Sequence, residues 1–176
     1  MKISELQQRH KKILDSFSCG NIVIDNFLKS NDAYNSSIGK TYVLLSENEQ
    51  MVIGYYTIST GSVDYIDGAL RIKDAGAIHI NYFAIDESFQ KNVVFEENGA
   101  KTYVSDYLLD DCFQRIESIR SKDVGFSYIT LDSTPEGVWL YERNGFCSIN
   151  SEDNILFSPY KHEFESIPMY LFLDEE

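Results

Sequence analysis

The sequence predicts an α/β (α+β) fold: a mixed, mostly antiparallel sheet with helices on both faces, in a single domain spanning 1–176. Three observations carry that expectation. Segments rich in β-branched and aromatic residues recur, among them KTYVLL at Lys40–Leu45 and MVIGYYTIS at Met51–Ser59. Between later strand segments lies one long stretch in which Val104, Leu108, Cys112, Ile116 and Ile119 repeat at helical intervals. Strands and helices interleave along the chain, an order that layers helices onto a sheet.

Taken in order, Ile3 to Phe17 has helical spacing with Lys and Arg mixed in, and Asn21 to Lys29 reads as a second short helix with Ile24, Phe27 and Leu28 on one face. Lys40–Leu45 and Met51–Ser59 flank SENEQ and form an antiparallel hairpin. Ile78 to Asp86 (IHINYFAID) is the next strand. The long helix follows, with Ser105, Asp106, Asp110, Asp111, Arg115 and Glu117 opposite its apolar stripe. Gly125 to Leu131 reads as a buried strand and Pro135 to Arg143 as a helix with proline in its first turn. Phe146 to Ile149 and Met169 to Leu173 close the sheet, and Asp174-Glu175-Glu176 is expected to be solvated.

Composition narrows the function. With 15 basic and 28 acidic residues, the net charge is −13. Phosphate binding needs clustered cations, and acidic residues dominate nearly every segment after Lys12, so nucleic acid is disfavoured as a partner. A negative field favours cationic ligands such as amines or basic peptides. No segment approaches the roughly 18 uninterrupted apolar residues of a membrane span, and MKISELQQRHKKILDSF lacks the features of a secretory signal. A cytoplasmic location is expected. Cys19, Cys112 and Cys147 are too scattered for a disulfide framework or a paired-cysteine zinc site. They are expected to be reduced, with Cys112 and Cys147 filling core. Neither His10 nor His162 has metal-ligand neighbours, so no metal is expected.

Two stretches could carry chemistry. The first is AIDESFQKNVVFEENGAKT, running from a strand through a polar loop to Gly99, where Gly99 to Thr102 would open the long helix. Helix-start amides lack intrahelical partners and carry partial positive charge, so they can hold an anion. The second is TPEGVWLYERNGF at Thr134–Phe146, a helix carrying Trp139, Leu140 and Tyr141 and stopping at Asn144-Gly145. A helical tyrosine is ordinarily packing, but a phenol can also give a proton to a leaving thiolate. Trp139 reads as core.

Together these stretches resemble the GCN5-related N-acetyltransferase (GNAT) superfamily. The likeness is carried by YYTIS, by the strand end Phe83-Ala84-Ile85-Asp86 with Gln90 after it, by Leu131-Asp132-Ser133, and by LYERNGF at Leu140–Phe146. Phe17-Ser18-Cys19-Gly20 followed by Leu28 is similar to the start of the superfamily's toxin-like branch. The resemblance implies a splayed central strand pair, with the backbone around Phe83, Ala84 and Ile85 bonding the pantetheine arm of acetyl-CoA as an added strand would. It implies a pyrophosphate site of the form Gln/Arg-x-x-Gly-x-Gly/Ala, onto which Gln90, Gly99, Ala100, Lys101 and Thr102 map. The pattern is stretched here: residues 91–98 separate Gln90 from Gly99 where two residues are expected, and Lys101 replaces a small residue, though it could meet a phosphate oxygen itself. Tyr141 matches the family's general acid. His79 and Asn81 share a strand face with Phe83 and Ile85. His79 could contribute as a base, though a structural role is the ordinary one, and Asn81 could position a ligand.

The expected activity is acetyl transfer from acetyl-CoA to a primary amine of a small molecule or peptide, by direct attack in a ternary complex, with a homodimer among the options for assembly. Alternatives are an acyl-CoA-binding or protein-interaction module without turnover, and a toxin that acetylates aminoacyl-tRNA.

Overall fold

The computed structural model describes residues 1–66, 72–97, 99–149, 155–156 and 165–173. The chain forms two compact units, residues 1–58 with 81–117 and residues 59–80 with 118–176.

The first unit begins with a strand, β1 (Lys2–Glu5), where helical spacing predicts helix; only Lys11–Leu14 (α1) is α-helical in that region. β1 lies antiparallel to β2 (Lys40–Leu45), with Ile3 opposite Leu44. Pairing along the edge of β2 satisfies the backbone of residues 2–5, and that tertiary opportunity outweighs the local period. Helix α2 (Ile22–Lys29) forms as its sequence indicates, because the Asn21 side chain accepts the Val23 amide at 3.0 Å and caps the N-terminus. β2 and β3 (Val52–Ile66) pair antiparallel with Val43 opposite Tyr55, forming the hairpin the sequence indicates.

Strand alternation sorts this core into two faces. Val43, Leu45 and Tyr55 pack with Leu14, Phe17, Phe27 and Leu28 from the two short helices. Each fully buried aliphatic or aromatic side chain here contributes roughly 1.5–3 kcal/mol relative to exposure. Leu44 and Tyr56 point the other way, and the Tyr56 hydroxyl donates to Asp111 Oδ2 at 2.5 Å on helix α3 (Val104–Lys122). Arg115 holds the same carboxylate at 2.8 Å and stacks 4.3 Å from the Tyr42 ring centroid. Helices therefore cover both faces of this part of the sheet. The buried stripe of α3 includes Val104, Leu108, Cys112 and Ile116, the residues its period selects.

In the second unit the only parallel pairing among the described strands joins β4 (Ile72–Ile85) to β7 (Tyr128–Ser133), setting His79 opposite Thr130. β7 pairs antiparallel with β10 (Ile167–Phe172), which pairs with β8 (Cys147–Ser148), and β3 pairs with β9 (Ile155–Leu156). β7 starts three residues later than the apolar run Gly125–Leu131 suggests. Gly125 to Ser127 lead into it, and the Ser127 amide bonds Gly76 O at 3.0 Å. Helix α4 covers only Val138–Glu142, because the preceding Pro135–Gly137 segment is a turn closed by the Gly137 amide on Thr134 O at 2.9 Å. Its end matches the sequence signal: Gly145 has φ +90°, and the Phe146 amide returns to Tyr141 O at 3.1 Å. Cys147 is exposed rather than a core filler, while Cys112 is buried as expected. Asp174-Glu175-Glu176 and His162 lie outside the described residues.

Candidate active site

The end of β4 carries the first group of candidate residues. The parallel register with β7 covers Ala77–Ile80, and β4 runs five residues further, to Ile85. On one side of this extension Tyr82 stacks on Phe27 at 3.8 Å between centroids, and Ala84 joins the core. Asn81, Phe83 and Ile85 point to the other side by alternation. Phe83 is half-buried, while Ala84 and Ile85 are buried. Asn81 Oδ1 is buried with no hydrogen-bond partner among the described residues. An unsatisfied buried acceptor costs about 1–3 kcal/mol, so such an atom is a place where a ligand's donor is worth more than usual. His79 is 2% exposed, with Nδ1 2.9 Å from Thr130 Oγ1, a position built into the strand pair.

The segment after β4 is locked onto the chain's opening residues. Asp86 accepts the Ser18 amide at 3.1 Å, and the Glu87 amide donates to Ser18 O at 2.8 Å. Gln90 donates through Nε2 to both Ile85 O at 3.1 Å and Cys19 O at 3.0 Å. Its carboxamide therefore ties the strand end to the Phe17-Ser18-Cys19-Gly20 loop. The Cys19 thiol is held in its protonated form at neutral pH. Burial, assisted by the Asp25 carboxylate, pushes its thiol up to about 12.

The expected anion cradle is built differently. Gly99, Ala100, Lys101 and Thr102 do not open a helix: Val93–Glu97 (β5) and Ala100–Tyr103 (β6) form an exposed antiparallel ribbon, and Gly99 takes φ +82° in its turn. The signal for this hairpin is present in the sequence, as Asn98-Gly99 between VVFEE and AKTY. α3 starts at Val104, and the two amides that lead into it are already bonded within the chain. The Tyr103 amide donates to Asp106 Oδ2 at 2.9 Å and the Val104 amide to Asn92 O at 3.0 Å. β4 therefore runs past its register with β7, whereas Gly99 to Thr102 do not form the glycine-led helix start that the resemblance implies. The cations on this segment are Lys91 and Lys101, both exposed.

Tyr141 stands in the second unit, on α4. It is 7% exposed, with its ring edge-on to Phe146 at 5.7 Å. Two positions earlier on the same helix, Trp139 is 64% exposed, so the sequence-based core assignment does not hold. At 100° per residue, positions two apart face opposite sides of a helix, and here the tyrosine turns inward and the tryptophan outward. Among the described residues no cluster of three His, Cys, Asp or Glu is arranged to hold a metal ion, and no helix is long and apolar enough to cross a membrane.

No family model matches the chain. A curated relative, the probable toxin TacT of Sinorhizobium fredii, is 30% identical over 158 residues, covering 82% of this chain and 83% of its own. Among solved structures, a tyrosine-to-phenylalanine mutant of the toxin AtaT, bound to the C-terminus of the antitoxin AtaR and acetyl-CoA, matches with a TM-score of 0.69 at 18% identity over 97% of this chain and 92% of that one. AtaT complexed with acetyl-methionyl-tRNAfMet matches with a TM-score of 0.68 at 20% identity over 90% and 94%. These complexes overturn the expectation of a small-molecule or peptide acceptor with nucleic acid as an unlikely partner. Net charge is a sum over the whole surface, whereas phosphate contact depends on a few local cations. The mixed, mostly antiparallel sheet, the strand extension at Phe83–Ile85, the LYERNGF helix and the TacT relationship converge: the chain belongs to the toxin-type branch of the GNAT superfamily, a family of acetyltransferases that use acetyl-CoA.

Proposed function

We propose that residues 1–176 act as one toxin-type acetyltransferase domain, moving the acetyl group of acetyl-CoA to the α-amine of an aminoacyl-tRNA in the cytoplasm, with a protein antitoxin as its neutralising partner. The observation that carries this reading is the 30% identity to a probable TacT toxin over most of both chains. The tRNA complex of AtaT supports the acceptor, and its AtaR complex supports the protein partner.

Acid–base chemistry favours the same acceptor. A lysine-type amine, with a pKa near ~10.4, needs a base before it can attack, whereas an α-amine titrates near ~7.7–8.0 and is substantially neutral at cellular pH. The neutral fraction of such an amine can attack without prior deprotonation, and the proton it sheds after attack can pass to water. Acetyl-CoA supplies an activated thioester. In this reading the backbone of Phe83, Ala84 and Ile85 aligns the pantetheine arm, and Gln90 keeps that strand end in place through its bonds to Ile85 O and Cys19 O. Asn81 Oδ1 accepts an N–H from the bound substrate. Lys101, with Lys91, meets the phosphates in place of the glycine amides, while Gly99, Ala100 and Thr102 shape the ribbon that presents Lys101. As the C–N bond forms and the C–S bond breaks, the Tyr141 phenol donates its proton to the departing sulfur, while the proton shed by the amine nitrogen passes to solvent water, which in turn reprotonates the phenolate.

The test is transfer of label from acetyl-CoA to a mixture of aminoacyl-tRNAs, followed by mild alkaline cleavage of the ester to recover the N-acetylated amino acid. Label arriving only on polyamines or lysine peptides would reject the acceptor.

A further inference from the structure

Beyond the reacting groups, we propose that Trp139 and Arg143 form a stacking platform for single-stranded nucleotides of the acceptor tRNA. This inference rests on the aminoacyl-tRNA reading above. Trp139 is the chain's sole tryptophan and keeps 64% of its surface exposed. One turn on, Arg143 places its guanidinium carbon 4.1 Å from the indole centroid. One face of the indole thus carries a cation while most of the side chain stays exposed.

The chemistry of this pair identifies what it suits. Every nucleobase presents a π-face that stacks on an aromatic ring, and the neighbouring guanidinium attracts the phosphates that come with it. A basic peptide would meet the Arg143 charge as repulsion. Position favours the same ligand. The pair sits on the outer side of the helix whose inner side carries Tyr141, and a substrate as long as tRNA extends well past its reacting amine.

The sole tryptophan makes the test direct. Uncharged tRNA is titrated while indole emission is recorded, and the titration is repeated with tRNA lacking its single-stranded 3′ nucleotides. Quenching by the first and not the second is expected. Steady-state transfer to aminoacyl-tRNA is then measured for Trp139→Ala, Arg143→Ala and Trp139→Phe. The first should raise KM roughly 10-fold with kcat nearly unchanged, the second should raise it less, and the phenylalanine should recover much of the loss because stacking tolerates any aromatic ring. Acetyl-CoA affinity and melting temperature should stay at wild-type values, since the ring is exposed. Emission that ignores tRNA, an unchanged KM in Trp139→Ala, or quenching only by an antitoxin peptide would overturn the platform while leaving the acceptor standing. No transfer by the wild-type chain to any aminoacyl-tRNA would overturn the acceptor itself and the platform with it.

Discussion

The Asp86 carboxylate accepts the Ser18 amide N–H at 3.1 Å, joining the turn after β4 to the loop between α1 and α2. Its other oxygen accepts the Ser88 amide at 3.0 Å, so one buried side chain fixes the strand's exit on two sides. Asp86→Ala leaves the Ser18 N–H without an acceptor in a half-buried place. The expected loss is roughly 2–3 kcal/mol, a melting decrease of about 5–10 °C by calorimetry. Asp86→Asn, which keeps one acceptor oxygen, should lose less; equal losses would show that the geometry matters less than the charge.

Two opposed effects are expected of Asp106 at the start of α3. It caps the Tyr103 amide at 2.9 Å, as the third-position carboxylate of a capping box does, and it places a negative charge beside the segment proposed to meet phosphate. Asp106→Ala should lower stability by about 1 kcal/mol, yet tighten acetyl-CoA by roughly 2- to 5-fold as that charge is removed. Thermal melting and titration calorimetry read the two effects separately. Weaker binding of the coenzyme would place the phosphates elsewhere.

Lys101 stands opposite Glu96 on the β5–β6 ribbon. The double variant Lys91→Ala, Lys101→Ala should weaken acetyl-CoA more than it weakens a pantetheine thioester lacking phosphates. The difference should shrink as salt is raised, because exposed charges separated by more than the Debye length, about 10 Å at 0.1 M, are largely screened. A loss equal for both donors would remove the two lysines from the phosphate site.

Tyr141→Phe keeps the ring that packs edge-on against Phe146 and removes only the hydroxyl. If the phenol is the acid, kcat should fall roughly 10²- to 10⁴-fold while acetyl-CoA affinity and melting temperature hold. Turnover within a factor of two of wild type would assign the proton to another group.

Stability should be greatest between about pH 6.5 and 9. Burial, with Arg9 adding to it, lowers the His10 pKa from its ordinary 6.5. Below pH 6.5 the unfolded chain takes up a proton at this ring that the folded chain does not, so stability falls as the solution is acidified through that value. Burial raises Cys19 from 9.0 to about 12 and also raises the pKa of the Cys112 thiol. The folded chain then keeps protons that the unfolded chain releases, and stability falls as pH rises from 9 towards 12. Denaturant midpoints across this range check both limbs. In the native chain, the exposed Cys147 should be alkylated first at pH 8, well ahead of Cys19 and Cys112.

The sequence by itself determined the long helix, the β2–β3 hairpin, the strand at IHINYFAID and the stop at Asn144-Gly145, because each depends on a local period or a local backbone preference repeated over several residues. It also carried the family likeness and the tyrosine that could serve as acid. Tertiary structure decided the rest. Ile3 sits in a strand because β2 offers it an edge, Trp139 faces solvent because Tyr141 takes the inward side of a five-residue helix, and Gln90 is spent on two carbonyls brought beside it by folding. The ribbon around Gly99 shows the boundary between the two. Its Asn98-Gly99 signal is written locally, but the period of the helix after it invites the neighbouring residues into that helix. The outcome was set by cross-strand pairing and by the Asp106 cap that starts α3 at Val104, interactions between residues that no single-residue pattern ranks against each other.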